Sequence, residues 1–301
     1  MLAVEEITKQ YGLRAAIDGL SVFLRSGEVF GLVGANGGGK TTTLRVLAGI
    51  MKADRGRGHV LGFDLRCERA EIRAAVGYMS QRFSLYADLT VCENLRFRAE
   101  IYGVERPRAE AERRIADFGL GEYTETAAGE LSGGFARRLQ LAAALIHSPT
   151  LILLDEPTAG LDAVSRYEVW GLMQRLAAEG AGVIVSTHDL TEAERCSRVA
   201  LLREGRIVAT GTPEEVARAA PGEVFLLSGS DTRELAQRLA GVPGVAASYA
   251  LGSNLRVIAQ AEAGPHLERL ARSSGAVITR APMRLEDATL VLSSPISRGL
   301  E

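Results

Sequence analysis

The chain has 301 residues, of which 47% are apolar and 24% charged, with 35 basic against 37 acidic side chains and a net charge of −2. That length predicts about two domains with ample chain for an ordinary core, and the balance excludes wholesale disorder and a many-helix membrane protein. A near-neutral charge also lacks the basic footprint of a nucleic-acid binder, so no nucleic-acid partner is expected.

No segment reaches the roughly 18 apolar residues of a membrane span. The richest, Leu139 to Leu154, is interrupted by Gln140, His147, Ser148 and Pro149, and the start MLAVEEITKQYG lacks the basic and then apolar pattern of a signal peptide. Cys67, Cys92 and Cys196 are far apart and form no CxxC pair, as expected of structural cysteines in a reducing compartment. A cytoplasmic location follows as the expectation.

In chain order, the first 80 residues read as short strands with tight turns, ending in the β-branched run Glu28 to Gly34. A glycine-rich loop comes next, then a helix over Thr42 to Ile50 with Leu44, Leu47 and Ala48 at helical spacing, closed by the turn Lys52 to Gly58. Residues 85–147 change to helix. Thr90 and Glu93 form a capping box for a helix through Tyr102, Pro107 opens a second helix with Ala111, Ile115 and Phe118 on one face, and Ser132 opens a third that Pro149 ends.

Leu151 to Leu154 and Gly182 to Ser186 are continuous apolar runs, the pattern of central parallel strands. The alternation predicts an α/β fold: a mostly parallel sheet with an inserted helical subdomain, its ligands held outside the carboxyl ends of the strands. After Pro213 the texture changes to strand (Glu223 to Leu227), helix (Thr232 to Leu239), two strands around Gly252 to Asn254, helix (Pro265 to Ser273) and strand (Ala276 to Thr279). That order predicts a small α+β domain of split β-α-β type. The expected division is residues 1–221, a nucleotide-binding domain, and 222–301, an accessory domain.

Gly34 to Thr41 reads GANGGGKT and fits GxxxxGK[ST] between a predicted strand and a predicted helix, the setting the P-loop requires. The glycines Gly34, Gly37, Gly38 and Gly39, with Asn36, let backbone N–H groups converge on phosphate oxygens beside a helix N-terminus. Lys40, one of only three lysines, reaches the terminal phosphates; Thr41 can ligate Mg²⁺, and Thr42 continues the same turn. The strand LILL ends in Asp155 and Glu156, where Asp155 can hold Mg²⁺ beside Thr41 and Glu156 can orient or deprotonate an attacking water.

Between these halves lies LSGGF, Leu131 to Phe135. It resembles the LSGGQ signature of ATP-binding cassette ATPases, and the resemblance runs in order from Tyr11 through GANGGGKT, Gln81 in YMSQRFSLY, LILLDEP and AGLD to STHD, covering roughly residues 1–215. The segment YMSQRFSLYADLTVCENL and the C-terminal part look most like the ATPases of drug, antibiotic or polymer exporters whose permease is a separate chain. The resemblance implies an ATP motor, peripheral on the cytoplasmic face of the membrane, that drives an integral membrane permease and pairs head-to-tail with a second ATPase subunit. In that arrangement Ser132, Gly133 and Gly134 of one subunit close over the phosphate loop of the other.

Each implied residue also has a plainer reading. His188, just past a buried strand, would contact the γ-phosphate and hold water with Glu156, or is structural. Gln81 would sense Mg²⁺ or water, or is a polar loop residue. Tyr11 would stack on adenine, or packs in the core. Asp162 would join the dimer contact at the nucleotide, or is an exposed helix cap, and Ser132 is also a helix N-cap. Two departures from the family pattern stand out: Phe135 replaces the usual Gln, and Ala35 and Gly38 replace the frequent Pro and Ala. The competing functions are a soluble cassette ATPase acting on ribosomes or DNA, and a regulatory module in which ATP only switches conformation.

Overall fold

The computed structural model describes residues 1–229, 232–239 and 241–293, and the chain divides into two units, Met1–Ile207 and Val208–Glu301. The first unit opens with β1 (Leu2–Tyr11) and β2 (Arg14–Leu24), which pair antiparallel. They run to 10 and 11 residues, longer than the short strands the sequence suggested, because register shifts along β1 and a left-handed Glu6 (φ 52°) break their alternation. There follow β3 (Val29–Val33), α1 (Lys40–Leu47), β4 (Arg55–Val60), β5 (Phe63–Asp64), α2 (Arg69–Ala75) and β6 (Val76–Met79). Helix α1 begins two residues before the expected start. It ends three residues before the expected end, since a Cβ on Gly49, at φ +67°, would lie 2.6 Å from the Arg69 carbonyl oxygen.

Helices α3 (Val91–Ile101), α4 (Pro107–Asp117) and α5 (Gly133–Ala144) lie in the stretch read as helical, with turns and two short 3-10 segments between α4 and α5. Thr90 and Glu93 make the reciprocal capping box at the start of α3, and Pro107 stands at the first turn of α4. Then come β7 (Leu151–Asp155), α6 (Ala163–Ala178), β8 (Gly182–Thr187), α7 (Leu190–Ala193), β9 (Arg198–Arg203) and β10 (Arg206–Gly211).

One four-stranded sheet has the order β2-β1-β4-β5, and a six-stranded sheet has β10-β9-β3-β8-β7-β6. In the second, β6, β7, β8, β3 and β9 are parallel, with Val76 opposite Leu151, Leu151 opposite Gly182, and Val29 opposite Val183. Every residue of β3, β7 and β8 is buried, which is why these strands read as unbroken apolar runs instead of alternating ones. Parallel neighbours must end at the same edge. The chain therefore delivers the ends of β3, β8, β7 and β6 side by side, and each of these ends opens a segment that carries polar residues.

The second unit contains α8 (Pro213–Ala219), β11 (Glu223–Ser228), α9 (Thr232–Leu239), β12 (Val245–Leu251), β13 (Asn254–Ala259), α10 (Gly264–Ser273), β14 (Val277–Ala281) and α11 (Leu285–Ser293). Its antiparallel sheet has the order β12-β13-β11-β14, the arrangement of a split β-α-β fold. Leu235 and Leu239 of α9 and Leu267 and Leu270 of α10 bury one face with Phe225, Leu227 and Val257. On the other face Val291 of α11 packs on Val224 and Ile258. Buried Arg256 grips Asp287 there through Nε, at 2.8 and 3.0 Å, and through Nη2, at 2.7 Å.

Candidate active site

The loop after β3 is shaped by positions that only glycine fits. Gly39 sits at φ +103°, and a Cβ there would lie 2.4 Å from the carbonyl oxygen of Ala16, a backbone atom with nowhere to move. The loop hands directly into α1, whose first residue is Lys40. Lys40 is 5% exposed, and its Nζ donates to the carbonyl oxygens of Gly34 (2.6 Å) and Ala35 (3.1 Å). Burial pulls its pKa below the ordinary lysine value, against the attraction of Glu156 and Asp155. The ammonium is thus folded back into its own loop, beside a cleft of 540 Å³ lined by Tyr11, Arg14, Ala16, Asn36, Gly37, Gly39, Lys40, Thr41, Thr42, Gln81 and Glu156.

Asp155 ends β7, 1% exposed. Its Oδ1 accepts from the Ser186 hydroxyl at 2.7 Å and from the Thr41 hydroxyl at 3.1 Å, whereas its Oδ2 is buried with no hydrogen-bond partner. A buried carboxylate oxygen left without a partner is costly, and together with the Thr41 hydroxyl it forms the hard oxygen donor set that suits Mg²⁺.

Glu156, the next residue, leaves the strand in the left-handed region (φ 47°), a conformation costing on the order of 1–3 kcal/mol for a residue with a side chain. Its N–H donates to Ser186 Oγ at 3.0 Å, which holds the turn. The turned carboxylate takes Gln81 Nε2 on Oε2 at 3.0 Å, His188 Nδ1 near Oε1 at 3.3 Å, and Lys40 Nζ at 3.9 Å from Oε1. Four segments that follow adjacent strand ends therefore meet at one carboxylate.

Of the remaining sequence-predicted residues, Tyr11, Asn36 and Thr42 line the cleft, whereas Ser132, Gly133, Gly134 and Asp162 do not line it in their own chain. Tyr11 is 52% exposed at the cleft, its hydroxyl 3.0 Å from Met51 Sδ, so it is not a core residue. Ser132 stands at the N-cap of α5 with extended backbone, but its hydroxyl makes no capping bond; it is exposed, and neither it nor Gly133 or Gly134 lines the cleft of its own chain. Asp162 caps α6, accepting from the N–H groups of Val164 (2.9 Å) and Ser165 (3.0 Å) and from the Ser165 hydroxyl (2.7 Å), and does not line the cleft. Gly38 contributes to the loop without lining the cleft, as does Gly34, whose carbonyl holds Lys40.

Phe135 has a structural reason to stand where a glutamine is usual. Its ring lies 4.2 Å from that of Tyr123, and the Arg138 guanidinium sits 5.4 Å over it, a packed trio that a glutamine could not form. Sequence reasoning missed Arg14, which lines the cleft, and Glu192, 4% exposed, whose carboxylate accepts from Thr158 Oγ1 (2.6 Å) and Thr187 Oγ1 (2.8 Å) and so ties together the turns that carry Glu156 and His188. The hint for Glu192 was an acid four residues beyond a histidine at a strand end. For Arg14, within a strand of ordinary texture, there was none.

A phosphate loop, an Asp-Glu pair at the next-but-one strand end and a glutamine and histidine converging on the glutamate define a P-loop nucleotide-binding cassette. The chain belongs to the ABC transporter family, whose sequence pattern matches residues 17–159. It is 36% identical over 293 residues to the Nod factor export ATP-binding protein I of Paraburkholderia xenovorans (strain LB400), covering 96% of this chain and 95% of that one. It is 41% identical over 219 residues to the probable multidrug ABC transporter ATP-binding protein YbhF of Escherichia coli (strain K12), covering 72% of this chain. The match spans only 38% of that relative's length. Among solved structures, the ATP-binding subunit of an ABC transporter is similar at a TM-score of 0.66 and 31% identity, over 72% of this chain and 92% of that one. A dimeric post-hydrolysis ATP-binding cassette bound to ADP and Pi is similar at a TM-score of 0.66 and 25% identity, over 70% and 98%.

Proposed function

We propose that this chain is the ATP-hydrolysing subunit of an exporter, resting on the cytoplasmic face of the membrane and driving a separate integral membrane permease. The observation that carries the reading is the Glu156 carboxylate, turned out of β7 over the phosphate loop and held by Gln81, His188 and Lys40. ATP enters the cleft with its adenine against the exposed Tyr11 ring and its phosphates on the N–H groups from Gly34 to Thr42. Lys40 leaves its two carbonyl partners for the terminal phosphates, an exchange that explains a buried cation whose hydrogen bonds go to its own loop. Glu156 polarises the attacking water, Gln81 and His188 fix that carboxylate, and His188 also faces the γ-phosphate. Mg²⁺, held by Thr41 and Asp155 with Gln81 close by, would neutralise charge on the phosphates.

The signature acts on a partner's nucleotide. The free Ser132 hydroxyl and the N–H groups of Gly133 and Gly134, at the exposed start of α5, form a second anion site that its own cleft does not use, so two subunits, identical or closely related, close head-to-tail around two ATP molecules. Asp162 belongs to that contact. Among the described residues no helix is long and apolar enough to cross a membrane, consistent with a permease on another chain. Nod factor export and multidrug or drug-resistance relatives support export as the direction. Residues 1–221 carry the nucleotide site and 222–301 are accessory.

The test is phosphate release by the purified chain with ATP and Mg²⁺, alone and beside Lys40→Ala. The wild type is expected to turn over and the variant to lose both tight ATP binding and hydrolysis. Equal turnover by the two would refute the assignment of the phosphate loop.

A further inference from the structure

We infer that Arg137 and Gln140, on the helix the signature opens, are positioning residues that clamp the turn carrying Gln81 and so set the orientation of Glu156. The inference rests on the ATP-hydrolysis reading and adds two residues to it.

Arg137 and Gln140 are three residues apart on α5 and therefore share one face. Gln140 is 4% exposed, and its side chain spans two partners: Oε1 accepts from Arg137 Nη1 at 3.1 Å, and Nε2 donates to the carbonyl oxygen of Arg82 at 2.9 Å. Arg137 Nη1 also reaches the carbonyl oxygen of Ser80 at 3.4 Å. The backbone is thus gripped on both sides of Gln81. The Ser80 hydroxyl donates to the same Arg82 carbonyl at 2.8 Å, which closes the turn on itself. From the apex of that turn Gln81 sends Nε2 to Glu156 at 3.0 Å.

Arg137 makes no ion pair among the described residues. Burial draws its pKa below the ordinary arginine value, and the charges that counter this are Glu156 and Asp155. A half-buried guanidinium whose hydrogen-bond partners are neutral is an expensive way to fill space, but its rigid fork suits a group that must orient an amide. A glutamine is equally specific, because one end must accept and the other donate. The consequence is directional. Any shift of α5 that follows occupation of its N-terminal anion site moves Ser80 and Arg82 with it, and through Gln81 reaches the catalytic carboxylate.

Gln140→Leu keeps the volume and deletes both bonds; Gln140→Glu keeps the acceptor for Arg137 but sets a carboxylate against the Arg82 carbonyl. Each is expected to lower single-turnover ATP cleavage about tenfold, within the range for a misplaced catalytic group, and to leave the KM for ATP within about twofold. In a Gln81→Ala background the same substitutions should cost nothing further, since the clamp acts through Gln81. Amide exchange across residues 80–83 should quicken in both variants, whatever the turnover.

Unchanged cleavage in both variants, or a full additional loss in the Gln81→Ala background, would overturn the clamp. If Gln140→Leu fails to fold, Gln140→Glu decides alone. A wild type that releases no phosphate would instead sink the hydrolysis reading, and the exchange measurement would still judge the clamp: unchanged protection at 80–83 refutes it.

Discussion

At the residue scale the division of labour proposed for Asp155 and Glu156 rests on which of their oxygens are occupied. Both hydroxyl donors to Asp155, from Thr41 and Ser186, use Oδ1, and Oδ2 has no partner. Asn at 155 can therefore keep its oxygen under the two hydroxyls and put its NH₂ where Oδ2 stood, preserving the fold while removing the ligand a hard cation needs. The expected result is ATP affinity that no longer responds to Mg²⁺, read by titration with Mg²⁺ and with a chelator. Glu156 takes Gln81 Nε2 on one oxygen and His188 Nδ1 on the other, with the Lys40 ammonium 3.9 Å from that second oxygen. Gln at 156 keeps the size but cannot take a proton, so hydrolysis should fall by about 10² to 10⁴ while ATP binding survives. A long-lived ATP-bound dimer of this variant, seen by size-exclusion chromatography, is the expected outcome; full activity would remove Glu156 from the chemistry.

At the scale of elements, the loop between β3 and α1 and the end of α5 respond differently to change. Gly39→Ala would press a Cβ within 2.4 Å of the Ala16 carbonyl at a backbone angle alanine avoids, while Gly38→Ala meets the Ala35 carbonyl only at 3.0 Å and without a positive φ. ATP affinity should collapse in the first and change little in the second, by equilibrium titration. Beyond α5, His147 stacks on Tyr102 with ring centres 3.9 Å apart and planes 2° from parallel. Burial pushes its pKa from the ordinary 6.5 down to about 4, with Arg98 and Arg114 acting in the same direction and the Val76 backbone opposing. The unfolded chain then binds a proton on this side chain at a higher pH than the native one, so stability is retained above pH 6.5 and lost as the pH falls toward 4. His147→Phe, which keeps the stack without the titration, should flatten the pH dependence of the unfolding midpoint across that window.

At the scale of the whole molecule, the phosphate site is built entirely from the first unit, whereas the second unit has its own core and its own polar lock. Asp287 is fully buried, and although burial pushes its carboxyl pKa up, hydrogen bonds from Arg256, from the Arg284 N–H and from Tyr249 together hold it below the usual carboxylate range. Arg256→Leu would leave that carboxylate buried and without its cation, at a cost of about 3–5 kcal/mol. Unfolding of the second unit should shift accordingly, followed by denaturant titration, while nucleotide affinity stays as in the wild type. A chain ending at residue 221 is likewise expected to bind ATP, and failure to bind would mean that residues 222–301 support the site.

Much of this protein was legible in the sequence because the physics involved is local. A glycine-rich run before a lysine, a capping box at Thr90 and Glu93, and an unbroken apolar strand ending in two acids each state their own geometry, and the order of these motifs carried the resemblance to the family. The strand and helix pattern after Pro213 gave the split β-α-β arrangement for the same reason. What the sequence left open was set by neighbours far along the chain. That Glu156 turns left-handed, that it is Oδ2 of Asp155 that lacks a partner, that the Ser132 hydroxyl is free and not used in its cap, and that Gln140 reaches a carbonyl 58 residues away depend on which strands lie side by side. Strand order is a property of the assembled sheet. No single segment encodes it, so only the tertiary structure could bring Gln81, Asp155, Glu156 and His188 to one edge.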